Sequence, residues 1–168
     1  MIIIVFGLPG TGKTYFSQRL HLSTDVRHLN TDKIRAQLSK KGEYDYQTKN
    51  LIYNELIKEA RMTLGQGRDV IIDGTFHKKS RRNRIRHLAE EMNHQVFFIE
   101  MLAEEESIRK RLSVNRDHSE AGFDVYLKLK EEADPFTGEH LTLWSDSDPV
   151  DKMITKAKAY INEHRTDQ

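Results

Sequence analysis

Short, almost wholly apolar runs alternate along this chain with longer stretches in which apolar residues return every three or four positions. The runs at residues 2–6, 69–73, 95–101 and 140–144, with a brief one at 27–29, predict five strands. They read as near-continuous Ile, Val and Phe rather than as alternation, which is the pattern of strands covered on both faces of a parallel sheet. Between them, Ile52, Leu56, Ala60 and Leu64 mark a helix closed by Gly65-Gln66-Gly67. Ile85, Leu88, Ala89 and Met92 mark another, and Ile154, Ala157 and Ile161 a C-terminal one opened by Ser147-Asp148-Pro149. Residues 40–46 are polar with one glycine and predict a surface loop. Residues 104–133 read as two helices broken near 115–122, either at an ordinary turn or at the tip of a mobile lid. Strand and helix in alternation predict βα units around a parallel sheet.

The chemistry begins where the first strand ends. Gly7-Leu8-Pro9-Gly10-Thr11-Gly12-Lys13-Thr14 matches GxxxxGK[ST], and it lies between an apolar run and a helix-capable stretch, as a phosphate-binding loop must. Glycines let backbone N–H groups approach phosphates, and the following helix presents the positive end of its dipole. Lys13 can reach the β- and γ-phosphates, and the Thr14 hydroxyl can ligate Mg²⁺. The expected nucleotide contacts run from Gly7 through Leu8, Pro9, Gly10, Thr11, Gly12, Lys13 and Thr14 to Tyr15.

Composition narrows what surrounds that loop. The 168 residues fit one domain, and no repeat, low-complexity stretch or linker divides residues 1–168. A net charge of +1 with 32% charged residues means that any basic patch is local. The absence of cysteine excludes disulfides, thiolate zinc sites and thiol catalysis. No apolar run approaches the roughly 20 residues of a membrane span, and the N-terminal run has no basic leader, so a cytoplasmic protein without membrane contact is expected.

Four further groups of residues bear on the reaction. Asp73 closes the run Val70-Ile71-Ile72 and is placed to support Mg²⁺ as a Walker B aspartate does; alternatively, with Gly74-Thr75 following, it is a turn residue. In Asn30-Thr31-Asp32-Lys33-Ile34-Arg35, a helix starting near Thr31 puts Asp32 and Arg35 on one face. Asp32 could deprotonate an acceptor hydroxyl and Arg35 grip an anionic group on the acceptor, or the pair could be a helix cap and an exposed arginine. Arg109, Lys110, Arg111 and Arg116 could supply cations to a transferring phosphoryl group from a lid, or pair with Glu104, Glu105 and Glu106. Lys78, Lys79, Arg81, Arg82, Arg84 and Arg86 form the densest basic run. A nucleic-acid end would use such a patch, whereas a charged outer helix face would leave only Arg81 or Arg82 near the site. The eight histidines read as scattered surface residues, and Trp144 as a strand-end residue.

On these motifs the chain resembles P-loop kinases of the polynucleotide 5′-hydroxyl kinase and zeta-toxin type, together with small uncharacterised P-loop kinases. Such proteins carry the phosphate loop, an Asn-x-Asp-x-x-Arg motif, and a strand ending in Asp-x-Thr ahead of an arginine-rich helix. Here these are residues 7–14, residues 30–35, and Asp73-Gly74-Thr75 followed by Arg81-Arg82. The resemblance covers nearly the whole chain. It implies a P-loop NTPase of kinase type: an α/β fold with a five-stranded parallel sheet in the order 2-3-1-4-5, helices on both faces, and a small helical lid at about residues 109–122. It implies ATP and Mg²⁺ as cofactors, with the metal at Thr14 and Asp73 and the catalytic set Lys13, Asp32, Arg35, Arg111 and Arg116. Such kinases commonly set two lid arginines one helical turn apart; here Arg111 and Arg116 are five apart and Asn115 takes the expected place.

The expected activity is transfer of the γ-phosphate of Mg·ATP to an acceptor hydroxyl, either a polynucleotide 5′-hydroxyl or a small metabolite or nucleotide sugar. The contrasting class is a non-catalytic ATP-binding module. A GTPase is disfavoured because no Asn-Lys-x-Asp motif occurs, and an AAA-type motor because no room remains for a C-terminal helical subdomain. The acceptor and the oligomeric state are not encoded in any motif.

Overall fold

The computed structural model describes residues 1–114 and 122–165. Five strands, β1 (Ile2–Phe6), β2 (Arg27–Asn30), β3 (Val70–Gly74), β4 (Val96–Leu102) and β5 (Leu141–Trp144), form one sheet in the order β2-β3-β1-β4-β5. Every pairing is parallel. Seven helices are present among the described residues: α1 (Lys13–Leu22), α2 (Thr31–Gln37), α3 (Tyr46–Gly65), α4 (Lys79–Glu91), α5 (Glu105–Val114), α6 (Phe123–Glu132) and α7 (Val150–His164). Among them, no helix is long and apolar enough to cross a membrane.

The continuous apolar strands are explained by two cores, one on each face. Ile2, Ile4 and Phe6 of β1 pack with Ile52, Leu56 and Ala60 of α3 and Ile85 and Leu88 of α4. Ile3 and Val5 point the other way, onto Phe16 and Leu20 of α1 and Met153, Ala157 and Ile161 of α7. Each such aliphatic side chain removed from water contributes roughly 1.5–3 kcal/mol. Either face therefore holds its helices against the sheet, and the strand ends are fixed with them. The expected sheet order and the helices on both faces are observed.

Boundaries differ in instructive ways. β2 extends to Asn30, and that residue's side chain then caps α2 by accepting from the amides of Asp32 and Lys33. α3 begins at Tyr46, well before its first core residue, because Asp45 caps it through the amides of Gln47 and Thr48. Gly65 is the last residue of α3 rather than its terminator; Gly67, at φ 75, makes the turn. α5 and α6 are the expected helix pair, joined by a small cluster of Ile108, Leu112 and Tyr126. The break expected near 115–122 lies, except for Gly122, outside the described residues.

Register does the placing. Asn30 lies opposite Asp73 across β2 and β3, and Val5 lies opposite Asp73 across β1 and β3. The polar ends of edge strand β2 and its neighbour β3 therefore meet at the C-terminal end of the sheet, beside the loop that follows Phe6. Ligands bind at that end in open α/β sheets.

Candidate active site

The phosphate loop is built as its sequence requires. Gly12 is the N-cap of α1 with φ 83, a left-handed conformation that side chains with a Cβ rarely adopt. Gly10 has φ 82, and a Cβ there would lie 2.9 Å from Ile108, so α5 packs directly on the loop. The buried Thr11 hydroxyl donates to the Leu8 carbonyl at 2.8 Å and closes the turn from inside. The first turn of α1 carries no acidic residue, so its N-terminal dipole is left for an external anion. Lys13 and Thr14 stand half-buried in that turn. Tyr15 is exposed, and its hydroxyl accepts from Arg19 at 3.4 Å on the outer side of α1.

Asp73 is the polar centre of the site. It is 0% exposed at the end of a fully buried strand, where a lone carboxylate is costly unless it is paired or binds a cation. Its Oδ2 accepts from Asn30 Nδ2 at 2.6 Å and lies 3.4 Å from His28 Nε2. Its Oδ1 is buried and has no hydrogen-bond partner among the described residues. Asn30 Nδ2 also lies 3.4 Å from the Thr14 hydroxyl, which brings Thr14, Asn30 and Asp73 into one group. Two hard oxygen donors, one of them an orphaned carboxylate oxygen, fit Mg²⁺. No cluster of three or more His, Asp or Glu able to hold a metal by itself occurs among the described residues. The donor set therefore suits a cation held jointly with phosphate oxygens, the usual arrangement for Mg²⁺.

The expected acceptor-side residues adjoin this group through α2. Asp32 is exposed in its first turn, and Arg35 is buried one turn later. The Arg35 guanidinium lies 4.4 Å from the Tyr44 ring and donates through Nη1 to the Glu43 carbonyl, while its Nε has no partner among the described residues. Arg81 of α4 lies over Tyr53 of α3 at 4.6 Å. Burial pushes the Tyr53 hydroxyl up to about 12, against the lowering pull of Arg81 and Arg35. Burial also holds His77 below its ordinary value, and the positive charges of Lys78 and Lys49 add to that. Arg81, Arg35 and Asp32 thus all lie close enough to act on the Tyr53 hydroxyl.

The arginines expected in a lid divide. Arg111 is tied to the outside of the loop: Nη1 donates to the Gly10 carbonyl at 3.1 Å and the Ser145 hydroxyl at 2.8 Å, and Nη2 to the Ser145 carbonyl at 3.2 Å. Arg116 lies outside the described residues.

Two expectations are corrected. His28 is not a surface histidine; its side chain is 4% exposed beneath Asp73. Arg82 is neither on an outer face nor open to a ligand: it is buried, donating to the carbonyls of Phe76 (2.8 Å), Asp134 (3.0 Å) and Pro135 (3.1 Å). Its neighbours are also engaged, with Arg84 donating to Asn54 at 2.6 Å and Arg86 lying 4.5 Å from the Phe98 ring. Composition alone hides this, because a basic run looks solvated until its partners are known. Asn30 and His28 did leave a signal: two positions apart, they share one face of β2, the face that meets Asp73.

Phosphate loop, orphaned buried carboxylate and sheet order together define a P-loop kinase-like fold. The family model described as "AAA domain" matches residues 2–134, and the chain belongs to that family. An uncharacterized Mycobacterium tuberculosis protein, Rv2004c, is 31% identical over an alignment of 100 residues that covers 52% of this chain and 20% of that protein. The 6-phosphofructo-2-kinase/fructose-2,6-bisphosphatase 3 of Bos taurus is 27% identical over 129 residues, covering 64% of this chain and 27% of its own length. The chain thus spans about a fifth to a quarter of the curated relatives it matches. Two solved structures share the fold. A Sinorhizobium meliloti gluconokinase has a TM-score of 0.74 at 14% identity, over 96% of this chain and 91% of that one. The Mycobacterium tuberculosis APS kinase CysC, in complex with AMPPNP and APS, has a TM-score of 0.73 at 14% identity, over 96% of both chains.

Proposed function

We propose that this protein is an ATP-dependent phosphotransferase that moves the γ-phosphate of Mg·ATP to the hydroxyl of a small, anionic acceptor. The observation that carries the reading is the buried, unpartnered Oδ1 of Asp73 beside Thr14, with Asp32 held on the adjoining helix end. Backbone N–H groups of the loop and the first turn of α1 receive the phosphates, and Lys13 offsets their charge. Thr14 and Asp73 would hold Mg²⁺, which when bound would neutralise phosphate charge. Asp32 accepts the proton of the acceptor hydroxyl as it attacks, and Arg35 binds the acceptor's anionic group. Tyr15 borders the nucleotide from the outer side of α1. Arg111 steadies the loop through Gly10, and Arg116 is the candidate for the charge that closes over the transferring group.

Two features favour a small acceptor over a polynucleotide 5′-hydroxyl. The basic run that suggested nucleic acid is dispersed, with Arg82, Arg84 and Arg86 engaged within the fold. A polynucleotide site needs several cations free for successive phosphates. The kinases similar in sequence or fold are also named for small acceptors: 6-phosphofructo-2-kinase, gluconokinase and APS kinase. Labelled γ-phosphate transfer to sugar acids, phosphosugars, nucleoside monophosphates, neutral sugars and 5′-hydroxyl oligonucleotides tests the reading. Transfer to a small anion supports it; transfer to oligonucleotide alone, or hydrolysis that no acceptor changes, overturns it.

A further inference from the structure

Asn30 touches both halves of the site. Its Oδ1 accepts from the amides of Asp32 and Lys33, each at 2.9 Å, and so fixes the helix end that carries Asp32. Its Nδ2 donates to Asp73 Oδ2 at 2.6 Å and lies 3.4 Å from the Thr14 hydroxyl. The residue is buried, so water competes little for these bonds. His28 approaches the same Oδ2 from two positions earlier. A carboxylate only accepts, so both side chains must turn an N–H towards it. Oδ2 is thereby taken and Oδ1 alone is left open.

We propose that Asn30 is a positioning residue which, with His28, aims Asp73 Oδ1 at the cation and ties that carboxylate to the helix end bearing Asp32. The inference rests on the phosphotransferase reading above. The position calls for a side chain that accepts for the helix end and donates to the carboxylate at once. Serine caps helices but is too short to span to Asp73, and aspartate caps but has no donor. Asparagine meets both demands. Asp73 and the helix end that carries Asp32 are then joined through one side-chain amide, and the carboxylate of Asp73 cannot rotate without losing its bond from Asn30.

Three variants separate this role from plain structure. Asn30→Ser keeps the cap and loses the bridge, Asn30→Ala loses both, and His28→Leu removes the second donor while leaving α2 alone. The probe is Mn²⁺ with a non-hydrolysable ATP analogue, followed by electron paramagnetic resonance. Asn30→Ser and His28→Leu should weaken Mn²⁺ binding about 10-fold or more, with metal-free binding of the analogue unchanged. Amide exchange at Asp32 and Lys33 should stay slow in Asn30→Ser and speed up in Asn30→Ala. If Asn30→Ser and His28→Leu bind Mn²⁺ as the wild type does, or lose the analogue itself in step with Mn²⁺, the positioning role is wrong. A wild-type protein that takes up no Mn²⁺ with the analogue overturns the phosphotransferase reading and this inference together.

Discussion

The guanidinium of Arg82 donates to the carbonyl of Phe76 at 2.8 Å, and Phe76 is a fully buried aromatic residue held at φ 45. A bulky side chain in the left-handed region costs roughly 1–2 kcal/mol, so the turn that leaves the site after Asp73-Gly74-Thr75 is held against its own preference. Arg82 holds it from below while clamping the carbonyls of Asp134 and Pro135. Arg82→Met should therefore destabilise the fold by about 3 kcal/mol, since one buried and two partly buried carbonyls lose a charged donor. Urea denaturation measures this. Lysine should not restore the loss, because it lacks the planar fork that reaches three carbonyls. A loss below about 0.5 kcal/mol, the range of ordinary surface changes, would show that Arg82 is not the clamp.

Asp73→Asn separates function from stability. It removes a buried charge whose Oδ1 has no partner, which in a fold under no functional demand is neutral or stabilising. Thermal unfolding should show no loss, while Mg²⁺-dependent turnover should fall by a factor of about 100 or more. An unstable variant, or one that keeps its turnover, contradicts the metal-side assignment.

His77 gives stability a slope on the acid side. Burial, with Lys78 and Lys49 nearby, holds its folded pKa below the ordinary 6.5. The unfolded chain then binds the proton first as pH falls. The contribution is fully present above 6.5 and is lost as pH falls through the lower folded value. Unfolding free energy measured from pH 7.5 to 5 should decline below 6.5, and His77→Gln should flatten that decline. His94 is lowered in the same direction and leaves a residual slope in the variant. Equal slopes in the two proteins would remove His77 from the account.

The fold was legible because its signals are local. Continuous apolar runs named the strands, and the 3.6-residue spacing of Leu56, Ala60 and Leu64 or Ile85, Leu88 and Ala89 named the helices. The phosphate loop was legible for the same reason, since strand, glycines, Lys13 and Thr14 are contiguous. Asp73 was readable from its place at the end of a strand. What stayed hidden depends on pairing across the sheet. Asn30 stood in the Asn-x-Asp-x-x-Arg motif, but its bond to Asp73, and any meaning for His28, appear only when β2 lies in register beside β3, and no local rule states that register. The arginines of α4 were illegible in the opposite sense: only the packed structure shows that Arg82 faces carbonyls and not solvent.

The central claim is that Asp32 deprotonates an acceptor hydroxyl beside a bound Mg·ATP. It is tested most directly by labelled γ-phosphate transfer to the small-anion panel, run with the wild type and with Asp32→Asn alongside nucleotide binding. The account predicts transfer to a small anionic acceptor by the wild type. In Asp32→Asn, kcat should fall by a factor of about 100 to 10,000, the range for loss of a general base, with nucleotide affinity unchanged. An unchanged kcat in Asp32→Asn, or ATP consumed only by acceptor-independent hydrolysis, would contradict it.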